Sequence, residues 1–371
     1  LQFDGAKGTT PTDLVVGFDF GTSSSKVVLQ SPYKLESRAV AVNFADLGHP
    51  SFSYLLPSVL VANSSGLLSL RRQDRVCEIR HDLKVRLLAN SETSQVDTDE
   101  LQNDIARAAA YVGLALREVR TRFLTAEREN YGADRLRWSM NLGIPSAGYD
   151  DDITRERFGI VARAGWLLSL SADPVSVPLA RAAVDRATHG NAHDVTIRVV
   201  PEVAAQVVGY AKSRQRNEGL HFLLDIGAST IDLCAFVLHA RAGDDIYELL
   251  SVDVQQLGLL ALHDARMQAA EGRPPFDSWP EDLVLPIPEW ELLESLGSGT
   301  RRELRKADAA YVNNCARNIL FRMMSDVRSE RDPNSPHWTT GLPLFVCGGG
   351  SANPLVANFV RLADSIGQKN W

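Results

Sequence analysis

The sequence predicts an α/β protein of two lobes with a duplicated architecture, and three observations predict it. Strand-like apolar runs alternate with amphipathic helical patterns over 371 residues, a length that suits two lobes. Apolar residues at 44% and charged residues at 23% provide a substantial core under a solvated surface. One supersecondary unit also occurs twice. FDFGTSSSKVVL near the start and LDIGASTIDLCAF past the middle each read as a strand ending in Asp-x-Gly, then small hydroxyl residues, then a second strand.

Residues 1–13 read as a disordered lead-in. VVGFDF (15–20) and KVVLQ (26–30) are strands joined by a Gly/Thr/Ser turn, with further strand runs at 38–44 and 57–62. Ile105, Ala109, Val112, Leu116, Val119 and Phe123 recur at spacings of three and four and place a helix over 101–128. Residues 135–145 alternate like a strand, and a helix follows over 154–169 with Thr154 as its N-cap. Next come a strand at 195–200, a helix over 202–213 and a strand–turn–strand unit at 222–238. Five prolines make 271–288 an irregular connector. A helix spans about 299–330, and 343–360 reads as strand, glycine turn and helix.

A net charge of -7 argues against a dedicated nucleic-acid surface. Cys77, Cys234, Cys315 and Cys347 form no CxxC pair, which argues against a zinc site and for a reduced, cytoplasmic setting. No apolar run approaches the ~20 residues that span a bilayer, so no membrane partner is expected.

Four segments carry chemistry. In the first hairpin Asp19 ends a strand, Gly21 lets the backbone approach a ligand, and Thr22, Ser23 and Ser24 supply N–H groups and hydroxyls suited to phosphate oxygens. An aspartate beside phosphate requires an intervening cation, and Mg²⁺ keeping its waters meets that need. The second hairpin repeats the pattern with Asp225, Gly227, Ala228, Ser229, Thr230 and Asp232. Each hairpin alone fits an ordinary turn equally well; the repetition raises the functional reading. Gly348, Gly349 and Gly350 follow a buried strand and precede a helix, where a flat ligand can lie against bare backbone near a helix N-terminus. Glu202 opens a helix, a position that also suits a plain dipole-complementing charge.

In their order, these segments resemble the actin/Hsp70/sugar-kinase ATPase superfamily, and Hsp70-type nucleotide-binding domains most. FDFGTSSSKVVL resembles the first phosphate motif, VVPEVAAQVVGY the first connecting motif, LLDIGASTIDLCAFVL the second phosphate motif and FVCGGGSANPLV the adenosine motif. LGLLALHDARM loosely resembles the segment after the second phosphate motif. The resemblance covers roughly 14–360. It implies an actin-like fold of two ribonuclease-H-like lobes with a nucleotide cleft between them: a first lobe over 14–200 and a second over 201–345 with a reduced outer subdomain around 263–300. Residues 346–371 would carry the adenosine motif and return toward a first lobe that is left incomplete or completed differently.

The resemblance further implies ATP or ADP with Mg²⁺ as ligands. Asp19 and Asp225 would hold metal-bound waters, and Gly21, Thr22, Ser23 and Ser24 would face Gly227, Ala228, Ser229 and Thr230 across the phosphates. Glu202 and Asp232 would orient the attacking water, while Gly348, Gly349, Gly350, Ser351 and Asn353 would contact the adenosine. The implied function is a chaperone-like ATP hydrolase serving as a conformational switch for a protein partner or client. A filament-forming actin-like ATPase, a sugar-type kinase, and a degenerate, non-hydrolysing nucleotide binder are the alternatives; the acidic run at 150–152, where a kinase's catalytic aspartate could be sought, reads better as a solvated turn.

Departures from the pattern bear on hydrolysis. Ala228 and Ser229 stand where Hsp70 proteins carry glycines. The Hsp70 lysine after the first hairpins has no counterpart among Arg71, Arg72 and Arg75, and Lys84 resembles the segment that follows. Gly258 and Asp264 are imperfect substitutes for a Gly-Gly-x-Asp motif. Slow or absent turnover follows from these departures.

Overall fold

A computed structural model describes residues 11–34, 38–48, 52–71, 76–88, 98–132, 134–149, 151–190, 195–241, 244–269 and 298–370. The first ten residues of the expected lead-in, the proline-rich connector, most of the expected outer subdomain, Arg72, Arg75 and Asp150 lie outside them. The protein is mixed α/β and divides into two compact units. One holds residues 1–144 and 148–202, the other 145–147 and 203–371.

In the first unit β1 (Thr12–Asp19) begins three residues before the position read from the sequence and alternates strictly, with Leu14, Val16 and Phe18 buried. It pairs antiparallel with β2 (Ser24–Gln30), which pairs in turn with the short β3 (Val40–Ala41) and β4 (Leu56–Pro57). On its other side β1 pairs parallel with β8 (Leu136–Ile144), and β8 with β9 (Thr196–Pro201). The main sheet therefore runs β3-β2-β1-β8-β9. A separate small sheet joins β5 (Leu60–Asn63), β6 (Leu68–Ser69) and β7 (Val76–Arg80). The run read as one strand at 57–62 is thus broken between β4 and β5, because Ser58 leaves the ladder to bind the β1–β2 turn.

Helices α1 (Leu83–Leu88), α2 (Thr98–Ala126), α3 (Arg128–Tyr131), α5 (Asp152–Ser169) and α6 (Val177–His189) complete this unit, and the short α4 (Ser146–Tyr149) falls where the division between the units runs. Asp99 and Glu100 in the first turn of α2 complement the helix dipole. Helices α2 and α5 cross closely at two glycines. A Cβ on Gly113 would stand 2.7 Å from Leu168 Cβ, and one on Gly165 2.6 Å from Val112 Cγ1. The N-cap of α5 is Asp151 and not Thr154. Its carboxylate accepts the N–H groups of Ile153 (3.2 Å) and Thr154 (3.1 Å), a charged cap that satisfies two orphan donors. Helix α6, absent from the sequence reading, starts behind Ser176, whose hydroxyl accepts the Leu179 N–H, with Pro178 in its first turn.

In the second unit β10 (Gly219–Ile226) pairs antiparallel with β11 (Ile231–Arg241) and parallel with β13 (Leu344–Cys347), while β12 (Asp244–Gln255) pairs with β11. The order is β12-β11-β10-β13. The topology of the first sheet is repeated: the strand ending in Asp-x-Gly is central, antiparallel to the next strand and parallel to a later one. Both faces of this sheet are covered, which is why β10 reads as a continuous apolar run. Leu220, Phe222, Leu224 and Ile226 face a core shared with α8 (Leu259–Ala269) and the C-terminal helices. Leu223 packs with Val203, Val207 and Ala211 of α7 (Glu202–Ala211).

The long helix expected over 299–330 is present with changes of winding. Helix α9 (Ser298–Asn314) widens to a π-helix over Cys315–Phe321, returns to α-geometry in α10 (Arg322–Asp326) and widens again over Val327–Arg331. The short α11 (His337–Thr340) precedes β13, and α12 (Pro354–Asn370) ends the described chain. Leu355, Val356, Phe359 and Ala363 of α12 pack in the core of this second unit, so 346–371 belongs to it structurally.

Candidate functional site

In the first unit the β1–β2 turn is built around Gly21, where any Cβ would collide with the Ser24 carbonyl. The turn is strapped from below by Ser58, which is fully buried. Its hydroxyl donates to the Gly21 carbonyl at 2.7 Å and its N–H to the Ser23 carbonyl at 2.9 Å. Beneath lies Tyr111, stacked on Phe20 at 5.5 Å, its hydroxyl set beside Ser25 and Ser58 and pushed up to about 12 by burial. With two carbonyls drawn inward, the hydroxyls of Thr22, Ser23 and Ser24 hold no hydrogen bond among the described residues, and all three residues are partly accessible. Asp19 is half exposed, with Lys26 Nζ 3.4 Å away across the hairpin, a geometry that leaves its carboxylate available to another cation.

Glu202 is brought to the same strand end. A Cβ added at Gly143 of β8 would stand 3.3 Å from Glu202 Cγ and 3.7 Å from the Phe18 carbonyl, so the glutamate lies over Gly143 beside the end of β1. Its Oε1 accepts a hydrogen bond from Lys84 Nζ of α1 at 2.7 Å, with the two side chains 15% and 7% exposed. Lys84 therefore stands beside Glu202, although the sequence reading matched it only to the segment that follows the first hairpins.

In the second unit Asp225 and Asp232 are direct partners across the β10–β11 ladder. Two carboxylates on one face of a strand pair repel, a relationship that favours an intervening cation or donor. One donor is present: Gln206 of α7 hydrogen-bonds Asp225 Oδ2. The turn Gly227–Thr230 closes by a 2.9 Å bond from Gly227 N–H to the Thr230 carbonyl. The segment after β12 holds it from behind. Gly258 N–H donates to Ser229, Leu259 N–H to Gly227 and Leu260 N–H to Ala228, at 3.0, 3.1 and 2.8 Å. Gly258 admits no side chain, because a Cβ there would overlap the Ala228 backbone.

The glycine segment meets this hairpin. Gly348, with φ of +81°, follows Cys347, the ladder partner of Asp225, and a Cβ on it would overlap Asp225 Oδ1. Gly350 is buried against Ile226 and Leu259, whereas a Cβ on Gly349 would meet nothing within 4 Å. Gly349 is thus the exposed stretch of bare backbone. The Ser351 hydroxyl donates to the Gly348 carbonyl at 2.8 Å, and buried Asn353 accepts the Leu355 N–H at 3.0 Å, opening α12.

Each unit thus sets an acid at the end of its central strand beside a tight turn with accessible hydroxyls: Asp19, Thr22, Ser23 and Ser24 with Glu202 in one, and Asp225, Ser229, Thr230 and Asp232 with Gly349 in the other. Among the described residues no group of three or more His, Cys, Asp or Glu can hold a metal directly. No described helix is long and apolar enough to cross a membrane. No protein-family model and no curated protein matches the chain.

Proposed function

We propose that the protein is a Hsp70-like ATPase of actin-like, two-lobed fold that binds ATP with Mg²⁺ between ribonuclease-H-like lobes and switches conformation for a protein partner. The observation that carries this reading is the repeated sheet topology, in which the central strand of each unit ends in an aspartate beside a glycine turn. The Lys84–Glu202 pair supports hydrolysis in particular. A glutamate fixed by a lysine is a water-orienting base held in one rotamer, and the lysine places a positive charge where phosphate charge would develop. Asp19 and Asp225 would hold the waters of Mg²⁺, which when bound neutralises phosphate charge. The turns at Gly21–Ser24 and Gly227–Thr230 would grip the phosphates, Asp232 would assist the water, and Gly349 would let the adenosine lie close to the backbone. ATP binding and hydrolysis would bias the closure of the lobes, the motion a partner would read.

The test measures ATP affinity and single-turnover hydrolysis for the wild type and for Asp19→Asn, Glu202→Gln and Asp225→Asn. Retained ATP binding with lost turnover in Glu202→Gln supports the ATPase. Magnesium-independent behaviour identical in all four proteins rejects it.

A further inference from the structure

A further feature of the first unit is found at the sheet end opposite the one where β1 delivers Asp19. Trp138 near the start of β8 pairs with Leu14, five residues before Asp19 and so about 17 Å away along the strand at ~3.3 Å per residue. A cavity of about 210 Å³ opens here between the C-terminal half of α2 and the end of α5, lined by Arg117, Arg120, Thr121, Leu124, Leu170 and Ala172 among others.

The two arginines do different things. Arg117 caps α5: its Nε and Nη2 donate to the Leu168 carbonyl at 3.1 and 2.7 Å, and its Nη1 to the Asp173 carbonyl at 2.8 Å. Arg120 makes a single long hydrogen bond, 3.3 Å to the Ser169 carbonyl. Its guanidinium lies 5.5 Å from the Trp138 ring and 5.6 Å from the Trp166 ring. Among the described residues it forms no ion pair, and burial depresses its pKa with no carboxylate opposing the shift. A largely desolvated cation is costly unless it is paired, and two aromatic faces offset only part of that cost. At the helix end Arg117 holds the Leu168 carbonyl with two donors, and Arg120 contributes only the one long bond to Ser169. What remains is a guanidinium set against two indole rings, with unused donors, at a cavity that also holds a second guanidinium and the Thr121 residue.

We propose that this cavity binds the oxyanion of a small organic acid, a carboxylate or phosphate group held by Arg120 and Arg117, with a short apolar portion resting on Leu124 and Leu170. The planar donor fork of arginine matches such groups. The site is independent of the nucleotide reading.

The test titrates the full chain with inorganic phosphate and, separately, with butyrate, against chloride at matched ionic strength, following tryptophan emission and thermal midpoint. Trp138 and Trp166 lie against the guanidinium and report its occupancy. The expected result is a saturable response to one or both oxyanions, with affinity falling about tenfold or more in Arg120→Gln through loss of charge-assisted hydrogen bonds. Ala172→Phe puts a phenyl group on the lining of the cavity while leaving Arg120 in the sequence, and is expected to weaken binding. It serves as the deciding variant if Arg120→Gln does not fold. A response to phosphate alone, or to butyrate alone, assigns the head group. No saturable response in the wild type, a response matched by chloride, or affinity unchanged in the folded variants overturns the proposal.

Discussion

Lys84 Nζ and Glu202 Oε1 stand 2.7 Å apart in a pair almost closed to solvent, although 118 residues separate them in the chain. If Glu202 orients the attacking water, Glu202→Gln keeps the hydrogen bond to Lys84 and loses only the charge. Turnover is then expected to fall by about 10²-fold or more with ATP affinity within a few-fold of wild type. Lys84→Ala is expected to lower turnover similarly and also to reduce stability, because it leaves a nearly buried carboxylate without its cation. Single-turnover hydrolysis with parallel nucleotide binding checks both, and equal turnover in Glu202→Gln and wild type would remove the glutamate from the chemistry.

The three consecutive glycines are predicted to differ. Gly348→Ala forces a side chain into a left-handed backbone and onto Asp225 Oδ1, and Gly350→Ala drives one into Ile226. Each is expected to lower stability by about 1–3 kcal/mol. Gly349→Ala meets open space and is expected to leave stability within about 0.5 kcal/mol while weakening nucleotide binding, if bare backbone is what the adenosine needs. Denaturant unfolding and nucleotide titration of the three variants separate packing from binding.

Much of the fold was legible from period and punctuation. The β1–β2 and β10–β11 hairpins, α2, α5 and the long helix from Ser298 follow alternation or the three-four spacing of buried residues. Elements without such contrast were missed. Strand β12 is partly exposed along nearly its whole length and has no clean alternation, and α6 is short and rich in alanine. In the site, Asp19, Glu202, Asp225 and the glycines were read from local motifs. Ser58 and Gln206 were assigned no role, and the contacts of Lys84 with Glu202 and of Gly258 with the Gly227–Thr230 turn were not foreseen, because each joins residues distant in sequence or on another element and nothing in the neighbourhood signals the partner.

A buried ion pair joins α8 to α9 in the second unit: Arg266 Nε donates to Asp308 Oδ1 at 2.6 Å, and neither side chain is more than 4% exposed. Removing one partner strands the other charge. Asp308→Ala is expected to cost about 3–5 kcal/mol, whereas the double replacement Arg266→Met with Asp308→Leu is expected to recover most of that loss. A double-mutant cycle from chemical denaturation checks the pair, and a small, additive cost of the two single changes would show that it is not coupled.

His221 supplies a pH dependence whose sign follows from its surroundings. It is fully buried, stacked between Phe236 at 5.3 Å and Phe345 at 5.9 Å. Nδ1 lies 2.7 Å from the Gly219 carbonyl and Nε2 3.1 Å from the Tyr210 hydroxyl, so a neutral ring with Nδ1–H donating satisfies both contacts. Burial lowers its pKa first of all; the Gly219 carbonyl opposes this, while the nearby His337 and Arg216 act in the same direction as burial. The unfolded chain therefore takes up this proton at a higher pH than the folded one. The stability this histidine contributes is present above its ordinary value of about 6.5 and is lost as pH falls below it, by at most ~1.4 kcal/mol per pH unit. His263, also lowered by burial, adds a dependence of the same sign. His221→Gln keeps a donor and an acceptor while removing the titration. Its unfolding free energy is expected to fall less steeply than that of the wild type between about pH 6.5 and 5, whatever its absolute value at neutral pH. Parallel slopes for the two proteins would mean that the ring does not titrate on unfolding and that the lock between Tyr210 and Gly219 is not sensitive to acid.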